Sequence, residues 1–143
     1  VEAGTPAAKA LAAMKAAEPT FSVSEFLGGA RGAYEMIVMA YERGEIDSIK
    51  SFLAPEVYET FESAVAAREE QGLTVESNFI GISELALQDA SFIDGEGEVM
   101  VRFVAELNTE GSPTAIKRQR DTWTFARQMG SNDPNWLLVA TGD

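Results

Sequence analysis

The sequence contains neither cysteine nor histidine. Without cysteine, the chain can form no disulfide and has no thiolate for catalysis or metal binding. Without histidine, it lacks the commonest general base, the commonest metal ligand and every triad that depends on an imidazole. We therefore expect no cofactor and no metal site, and this composition favours a binding module over an enzyme.

Positive charge and long apolar runs are also scarce. The chain has 11 lysines and arginines against 23 aspartates and glutamates, a formal net charge of −12. Nucleic-acid binding draws on clustered basic residues, so we expect no nucleic-acid partner. No apolar run approaches the roughly 18 residues of a transmembrane helix. No signal peptide is recognisable, and the start at Val1 suggests a piece of a longer protein.

The residues that are present indicate one globular domain with an N-terminal extension. A length of 143 residues, 45% of them hydrophobic, is typical of a single domain with one core. We assign residues 1–20 to a helical arm and 21–143 to the main domain. In the arm, Thr5 can cap a helix and Pro6 suits its first position. Its only bulky apolar residues are Leu11 and Met14, so it is either a frayed extension or an arm that docks on a partner, a neighbouring chain or a membrane.

A second helix has clear start and stop signals. Ser22 and Glu25 form a capping box, and Gly44 is a typical C-terminal stop. The apolar face of this helix consists of Phe26, Ala30, Tyr34, Ile37 or Val38, and Tyr41. Its middle contains three glycines, Gly28, Gly29 and Gly32. They indicate close helix packing or a bend, and the alternative is a hinge. A short helix capped by Asp47 and a glutamate-rich helix from Pro55 to Gln71 follow.

After Gly72 the hydrophobic pattern changes from the helical period to the strand period. We predict strands at 78–87, 98–107, 115–128 and 136–141, with a bulge where the first strand changes face. Asp94-Gly95 predicts a hairpin, and 108–113 a turn. Helices followed by a curved antiparallel sheet of four or five strands predict an α+β fold. We assign the cone of the nuclear transport factor two (NTF2)-like class, with the N-terminal helices packed against the sheet and a pocket at its open end.

Two C-terminal segments carry a resemblance to a known family. Residues 121–127 read D-T-W-T-F-A-R, and residues 133–141 read D-P-N-W-L-L-V-A-T. These segments resemble the C-terminal stretch of the Tim44 family, which comprises peripheral proteins of the mitochondrial inner membrane and alphaproteobacterial homologues. The resemblance covers about residues 22 to 142.

The resemblance implies an adaptor attached to the inner membrane through its N-terminal helices. Its implied partners are an inner-membrane protein complex, a phospholipid surface, and a chaperone or translocase. The acidic balance suits a bacterial homologue on the cytoplasmic face, with the mitochondrial matrix face as the alternative. The apolar pocket would take lipid or peptide. The alternatives are a protein scaffold without lipid binding and, less favoured, a small-molecule enzyme on the same fold.

Three groups of residues are candidates for these functions. Membrane or partner docking is assigned to Leu11, Met14, Phe21, Phe26 and Leu27. The pocket lining is assigned to Tyr34, Ile37, Val38, Tyr58, Phe61, Trp123, Phe125 and Trp136, whose alternative role is a core cluster. Contact with an anionic group is assigned to Arg102, Arg118 and Arg120, whose alternative role is pairing with carboxylates. A catalytic role would draw on Tyr34, Tyr58, Asp89 or Asp121.

Overall fold

The computed structural model describes residues 3–72, 77–109 and 116–142. The helices are α1 (Pro6–Ala17), α2 (Val23–Arg43), a short 3-10 helix (Ile46–Phe52) and α3 (Pro55–Glu70). The strands are β1 (Ser77–Ile93), β2 (Glu96–Thr109), β3 (Ile116–Gln128) and β4 (Leu137–Gly142). They form one curved antiparallel sheet in the order β1-β2-β3-β4, which confirms the α+β class. The turn predicted at 108–113 falls mostly outside the described residues.

The helix ends form where local side chains satisfy free backbone groups. The Thr5 hydroxyl accepts from the Ala8 N–H at 3.1 Å, and the Ser22 hydroxyl accepts from the Glu25 N–H at 3.3 Å. Gly44 ends α2 at φ 72°, a conformation that favours glycine. The predicted Asp47 cap is wrong. Asp47 lies in the first turn of the 3-10 helix, where its carboxylate accepts from the Tyr58 hydroxyl at 2.6 Å.

Strand β1 is longer and more bent than its hydrophobic pattern suggests. Its pairing with β2 shifts register at three places, which confirms a bulged strand. The strand continues to Ile93 instead of ending at Leu87, because the shift between Leu87 and Asp89 interrupts the alternation on which the prediction depended. Asp94 (φ 53°) and Gly95 (φ 81°) then form the predicted two-residue hairpin turn.

The core lies between the helices and one face of the sheet. The residues of β2 that point inward, Val99, Val101, Phe103 and Leu107, are fully buried. Helix α1 packs against β1 and contributes a fully buried Met14. Gly97 makes room for this side chain, since a Cβ at residue 97 would lie 2.9 Å from the Met14 sulfur. The frayed-extension alternative therefore does not describe α1, while the division at residue 20 stays a prediction.

The three glycines in α2 do not serve packing within the described part of the chain. The helix runs without a break through Gly28, Gly29 and Gly32. A Cβ built at any of these positions meets no atom within 4 Å. Close packing against another element is therefore wrong as their explanation, and the hinge stays a prediction.

Candidate functional site

The residues predicted to line one pocket are divided among separate sites. Ile37, Val38, Phe61 and Trp123 line a cavity of about 220 Å³ between α2, α3 and β3, here called the mouth cavity. Phe125 and Trp136 line a groove of about 450 Å³ along the N-terminal half of α2, here called the α2 groove. Tyr58 lies in a third depression beside the 3-10 helix. Tyr34 is fully buried in the core.

A hydrogen-bonded cluster forms beside the mouth cavity. The Tyr34 hydroxyl donates to the Asp121 Oδ2 at 2.5 Å, and the Gln119 amide donates to the same oxygen at 2.8 Å. Gln119 and Asp121 are two residues apart on β3 and therefore share a face. Burial, and then the hydrogen bond to Asp121, raise the pKa of Tyr34 above its usual range. The phenol consequently remains a neutral donor at physiological pH.

The mouth cavity is lined by six apolar and six polar residues. The apolar lining residues are Ile37, Val38, Tyr41, Phe61, Ala64 and Trp123. The polar lining residues are Glu42, Thr60, Lys117, Gln119, Asp121 and Thr141. An apolar cavity with a few convergent polar groups is the usual form of a small-molecule site.

The α2 groove lies between a helix with small residues and a loop with aromatic ones. Gly29, Ala30 and Ala33 form the helix side, and Pro134 and Trp136 form part of the opposite side. The ring partners of Trp136 belong to α2 and the segment before it. Trp136 precedes β4 and packs edge-on against Phe26, with ring centroids 4.7 Å apart. A second ring, Phe21, lies 6.0 Å from it.

Arg127, which we did not predict as a site residue, organises the wall of the α2 groove. Its side chain is buried, and its Nε donates to the Asp133 carbonyl at 2.8 Å. One of its terminal nitrogens lies 2.8 Å from both carboxylate oxygens of Glu18, and the other donates to the Ser131 carbonyl at 3.3 Å. One feature of the sequence could have identified it: Arg127 is a charged residue near the end of the apolar β3 segment, shortly before the D-P-N turn.

The predicted docking residues are largely inside the molecule. Met14, Phe21 and Phe26 are buried, and Leu11 and Leu27 are half-buried against the core. In this conformation these five side chains do not form an exposed apolar surface. Docking through Leu11 and Met14 would require α1 to leave the sheet, and Phe26 and Leu27 lie on α2. A docking role for the five residues stays a prediction.

The predicted anion contacts lie on the outer face of the sheet. Arg118 and Arg120 share this face with Arg102, because Arg118 pairs in register with Glu106, Arg120 with Val104 and Arg102 with Thr122. Arg102 also lies 3.6 Å from a Glu84 carboxylate oxygen. None of the three arginines lines either cavity. A role in anion binding stays a prediction.

Of the candidate catalytic residues, only Tyr34 and Asp121 come together at a cavity. Asp89 is exposed and its carboxylate caps its neighbour, Ala90. The hydrogen bond to Asp47 raises the pKa of Tyr58 to about 12. Within residues 3–72, 77–109 and 116–142, no three acidic side chains are grouped as metal ligands.

Comparison with known proteins identifies the family. The sequence matches the Tim44-like domain over residues 7–143. The chain belongs to the Tim44-like domain family. This match confirms the resemblance of the two C-terminal segments and extends it into α1. Tim44-like domains have the NTF2-like fold, in agreement with the architecture described above.

A solved structure and the curated proteins add little about function. The solution structure of a SEC-C motif containing protein from Rhodopseudomonas palustris is 22% identical. The match covers 94% of this chain and 88% of that chain, with a TM-score of 0.42, which supports no functional conclusion. No curated protein shows significant similarity to the chain.

Membership of the Tim44-like family indicates a membrane-associated role in binding or as an adaptor. The family is one of non-enzymatic binding domains. In the part of the chain that the structure describes, no helix is both long enough and apolar enough to cross a bilayer.

Proposed function

We propose that this Tim44-like domain is a peripheral adaptor of an inner-membrane protein complex, and that it binds an apolar helical segment of a protein partner in the α2 groove. The setting we propose is the cytoplasmic face in an alphaproteobacterium, in keeping with the acidic composition. The observation that carries the proposal is the row of exposed glycines on α2.

These glycines weaken the helix without a compensating contact in the described structure. Each costs a helix interior about 1 kcal/mol relative to alanine. Gly28, Gly29 and Gly32 are exposed, and the space above each is open. A helix surface without side chains allows a second backbone to approach closely. An intermolecular contact therefore accounts for residues that the contacts of this chain leave unexplained.

The surroundings of the glycines suit an apolar partner. Gly29 and Ala33 lead into the α2 groove, whose floor includes Phe26 and Trp136. Met36, an exposed apolar residue, extends the same helix surface by one turn beyond Gly32. Methionine is flexible and adapts to different apolar surfaces. A helix that places small or apolar residues against this strip would bury it.

A lipid surface is a weaker candidate for this site. The net charge of −12 opposes approach to anionic headgroups. At the groove itself, the buried Arg127 is already paired with Glu18, and Glu25 adds a second carboxylate. We therefore make lipid binding an outcome of the test below.

The test compares two leucine substitutions on exposed helix positions. Gly29→Leu fills the α2 groove, and no atom within 4 Å opposes its Cβ. Ala67→Leu adds the same side chain on the exposed part of α3 and is the matched control. Each protein is sedimented with inner-membrane vesicles of the source organism, and thermal denaturation verifies that it is folded. We expect Gly29→Leu to lose about tenfold or more in membrane affinity, as for a blocked central contact. Ala67→Leu should bind like the parent.

Protein-free vesicles and protease-treated membranes identify the partner. If a protein is the partner, the parent domain should fail to float with vesicles made from the extracted lipids, with or without cardiolipin. Protease treatment of the native membranes should also abolish binding. Equal flotation on protein-free vesicles would assign the attachment to lipid, and unchanged binding of folded Gly29→Leu would remove the α2 groove from the proposal.

A further inference from the structure

We propose that the mouth cavity binds a small organic ammonium ion, with the carboxylate of Asp121 as its counter-ion. This site lies between α2, α3 and β3, apart from the α2 groove, and the inference does not depend on the proposed adaptor function. The ammonium could belong to a free amine or to a phospholipid headgroup, since both present the same chemistry to the cavity.

The first argument is the unbalanced charge of Asp121. Tyr34 and Gln119 both donate to its Oδ2, and both are neutral. They fix the orientation of the carboxylate but do not neutralise it. Among the described residues, no donor reaches Oδ1 and no lysine or arginine forms an ion pair with Asp121. Lys117 also lines the cavity but lies outside ion-pair distance of Asp121. A partly enclosed carboxylate is stabilised by a cation in direct contact, which a ligand can supply.

The second argument is the nature of the walls. Trp123 and Phe61 contribute aromatic surface, and Ile37 and Val38 contribute aliphatic surface. An alkylated ammonium is attracted to aromatic rings and also buries its own carbon atoms against such walls. A metal cation would gain nothing from these apolar side chains, because it prefers several oxygen ligands.

The third argument is size and overall field. A volume of about 220 Å³ equals the share of roughly seven waters in the liquid. This is less than the roughly 300 to 1,000 Å³ of sites for drug-sized ligands. The cavity therefore fits a compact head of a few heavy atoms. The net charge of −12 also favours the approach of a cation over that of an anion.

The test uses choline and its neutral isostere 3,3-dimethyl-1-butanol. The chain has two tryptophans, Trp123 in the mouth cavity and Trp136 in the α2 groove. Their indole N–H signals in a ¹H–¹⁵N spectrum report on the two sites separately, and a Trp136→Phe sample assigns them. We expect choline to shift the Trp123 signal in a saturable way and to leave the Trp136 signal in place. The isostere should bind about tenfold more weakly or less.

Two matched variants test the counter-ion. Asp121→Asn removes the charge but keeps an oxygen that can accept from Tyr34, and it should reduce choline affinity about tenfold or more. Asp47→Asn is the control, because Asp47 also accepts from a tyrosine hydroxyl but lies outside the mouth cavity. It should bind choline like the parent.

The outcomes decide the proposal even if Asp121→Asn does not fold. Equal binding of choline and the neutral isostere by the parent protein, or no shift of the Trp123 signal at saturating concentrations, would overturn it. Unchanged choline affinity in a folded Asp121→Asn variant would do the same. Phosphatidylcholine vesicles are tested in the same way once soluble choline has been shown to bind. A Trp123 shift with both would show that the cavity also accepts a phospholipid headgroup, and a shift with soluble choline but not with vesicles would identify a free cation as the ligand. Neither result depends on whether native membranes bind the α2 groove.

Discussion

At the scale of single residues, Arg127 explains why the two family segments occur together. It belongs to the first segment, and its Nε binds the carbonyl of Asp133 in the second. The Asp133 carboxylate in turn accepts from the Asn135 N–H at 3.0 Å, which holds the turn before Trp136. The same guanidinium reaches Glu18 at the end of α1. A buried guanidinium needs all its partners, so one side chain joins β3, the following loop and the N-terminal helix.

The ion pair between Arg127 and Glu18 makes stability depend on pH. Hydrogen bonds from Arg127 and then from the Gly130 N–H lower the pKa of Glu18. Since the folded-state pKa lies below the unfolded one, the pair stabilises the protein at neutral pH. That contribution is lost as the pH falls below the ordinary glutamate pKa of about 4.3.

We expect Glu18→Gln to lower the free energy of unfolding by about 1–2 kcal/mol at pH 7. It should also flatten the decline of stability between about pH 5 and 3, because the titrating carboxylate is absent. Urea denaturation over a pH series measures both effects. Glu59→Gln, at an exposed position of α3, is the control and should retain the parent's acid dependence. If the free energy of unfolding fell equally with decreasing pH in the Glu18 variant and the parent, the ion pair would not be the source of the pH dependence.

At the scale of elements, α1 and α2 depart most from their sequence patterns. Helix α1 has little apolar surface, yet Met14 is fully buried beside Gly97 and Met129. Helix α2 has a strong apolar face, yet it keeps glycines where a side chain would fit. In both cases the space next to the helix determines which residues are buried. The helical period of the sequence carries no information about that space.

Met14→Ala should destabilise the protein by about 2–4 kcal/mol, since it deletes a buried side chain and leaves a cavity. The backbone amides of α1 should also exchange faster with solvent than in the parent. Leu11→Ala, at a half-buried position on the same helix, is the control and should cost less. Urea denaturation and hydrogen exchange give the measurements. A loss below about 0.5 kcal/mol for Met14→Ala would show that α1 is not held against the sheet.

Substitution of alanine for glycine should have opposite effects on stability at two positions, Gly32 and Gly97. Gly32→Ala should raise the free energy of unfolding by about 0.5–1 kcal/mol, because its Cβ enters open space and alanine favours a helix. Gly97→Ala should lower it by about 1–3 kcal/mol, because its Cβ would meet the sulfur atoms of Met14 and Met129 at 2.9 and 3.2 Å. Thermal and urea denaturation of both variants test the pair. A destabilised Gly32→Ala would indicate a packing role that the structure does not show.

At the scale of the whole molecule, charge determines which surfaces the domain approaches. The carboxylates of α3 are largely exposed, whereas the predicted anion contacts on the outer face of the sheet are mixed with Glu84 and Glu106. The field outside the molecule is therefore dominated by the net charge of −12.

Ionic strength should separate the two modes of membrane attachment. Binding of the domain to anionic protein-free vesicles, which we expect to be weak, should weaken further when salt is lowered from about 200 mM to about 20 mM, because screening of like charges decreases. Binding to native membranes through the apolar α2 groove should change by less than about threefold over the same range. Sedimentation at both salt concentrations provides the measurement. Stronger vesicle binding at low salt would reveal a basic patch that dominates the field.

The sequence by itself determined the features that depend on neighbouring residues. The capping bonds at Thr5 and Ser22, the stop at Gly44 and the Asp94-Gly95 hairpin follow from local chemistry. The change from helical to strand period similarly predicted the α+β class. The two C-terminal segments were enough to indicate the family that the full match confirms.

Only the tertiary structure decided which of these residues meet. Tyr34 and Asp121 form one cluster although 87 positions separate them, and no spacing rule connects them. The residues expected to line a single pocket are divided among three depressions and the core, where Tyr34 packs against the rings of Phe103 and Trp123. The Trp136 ring likewise packs against Phe26 on α2, a contact that its position in the sequence does not indicate. Hydrophobic period tells which face of an element is buried, but packing alone determines what that face contacts.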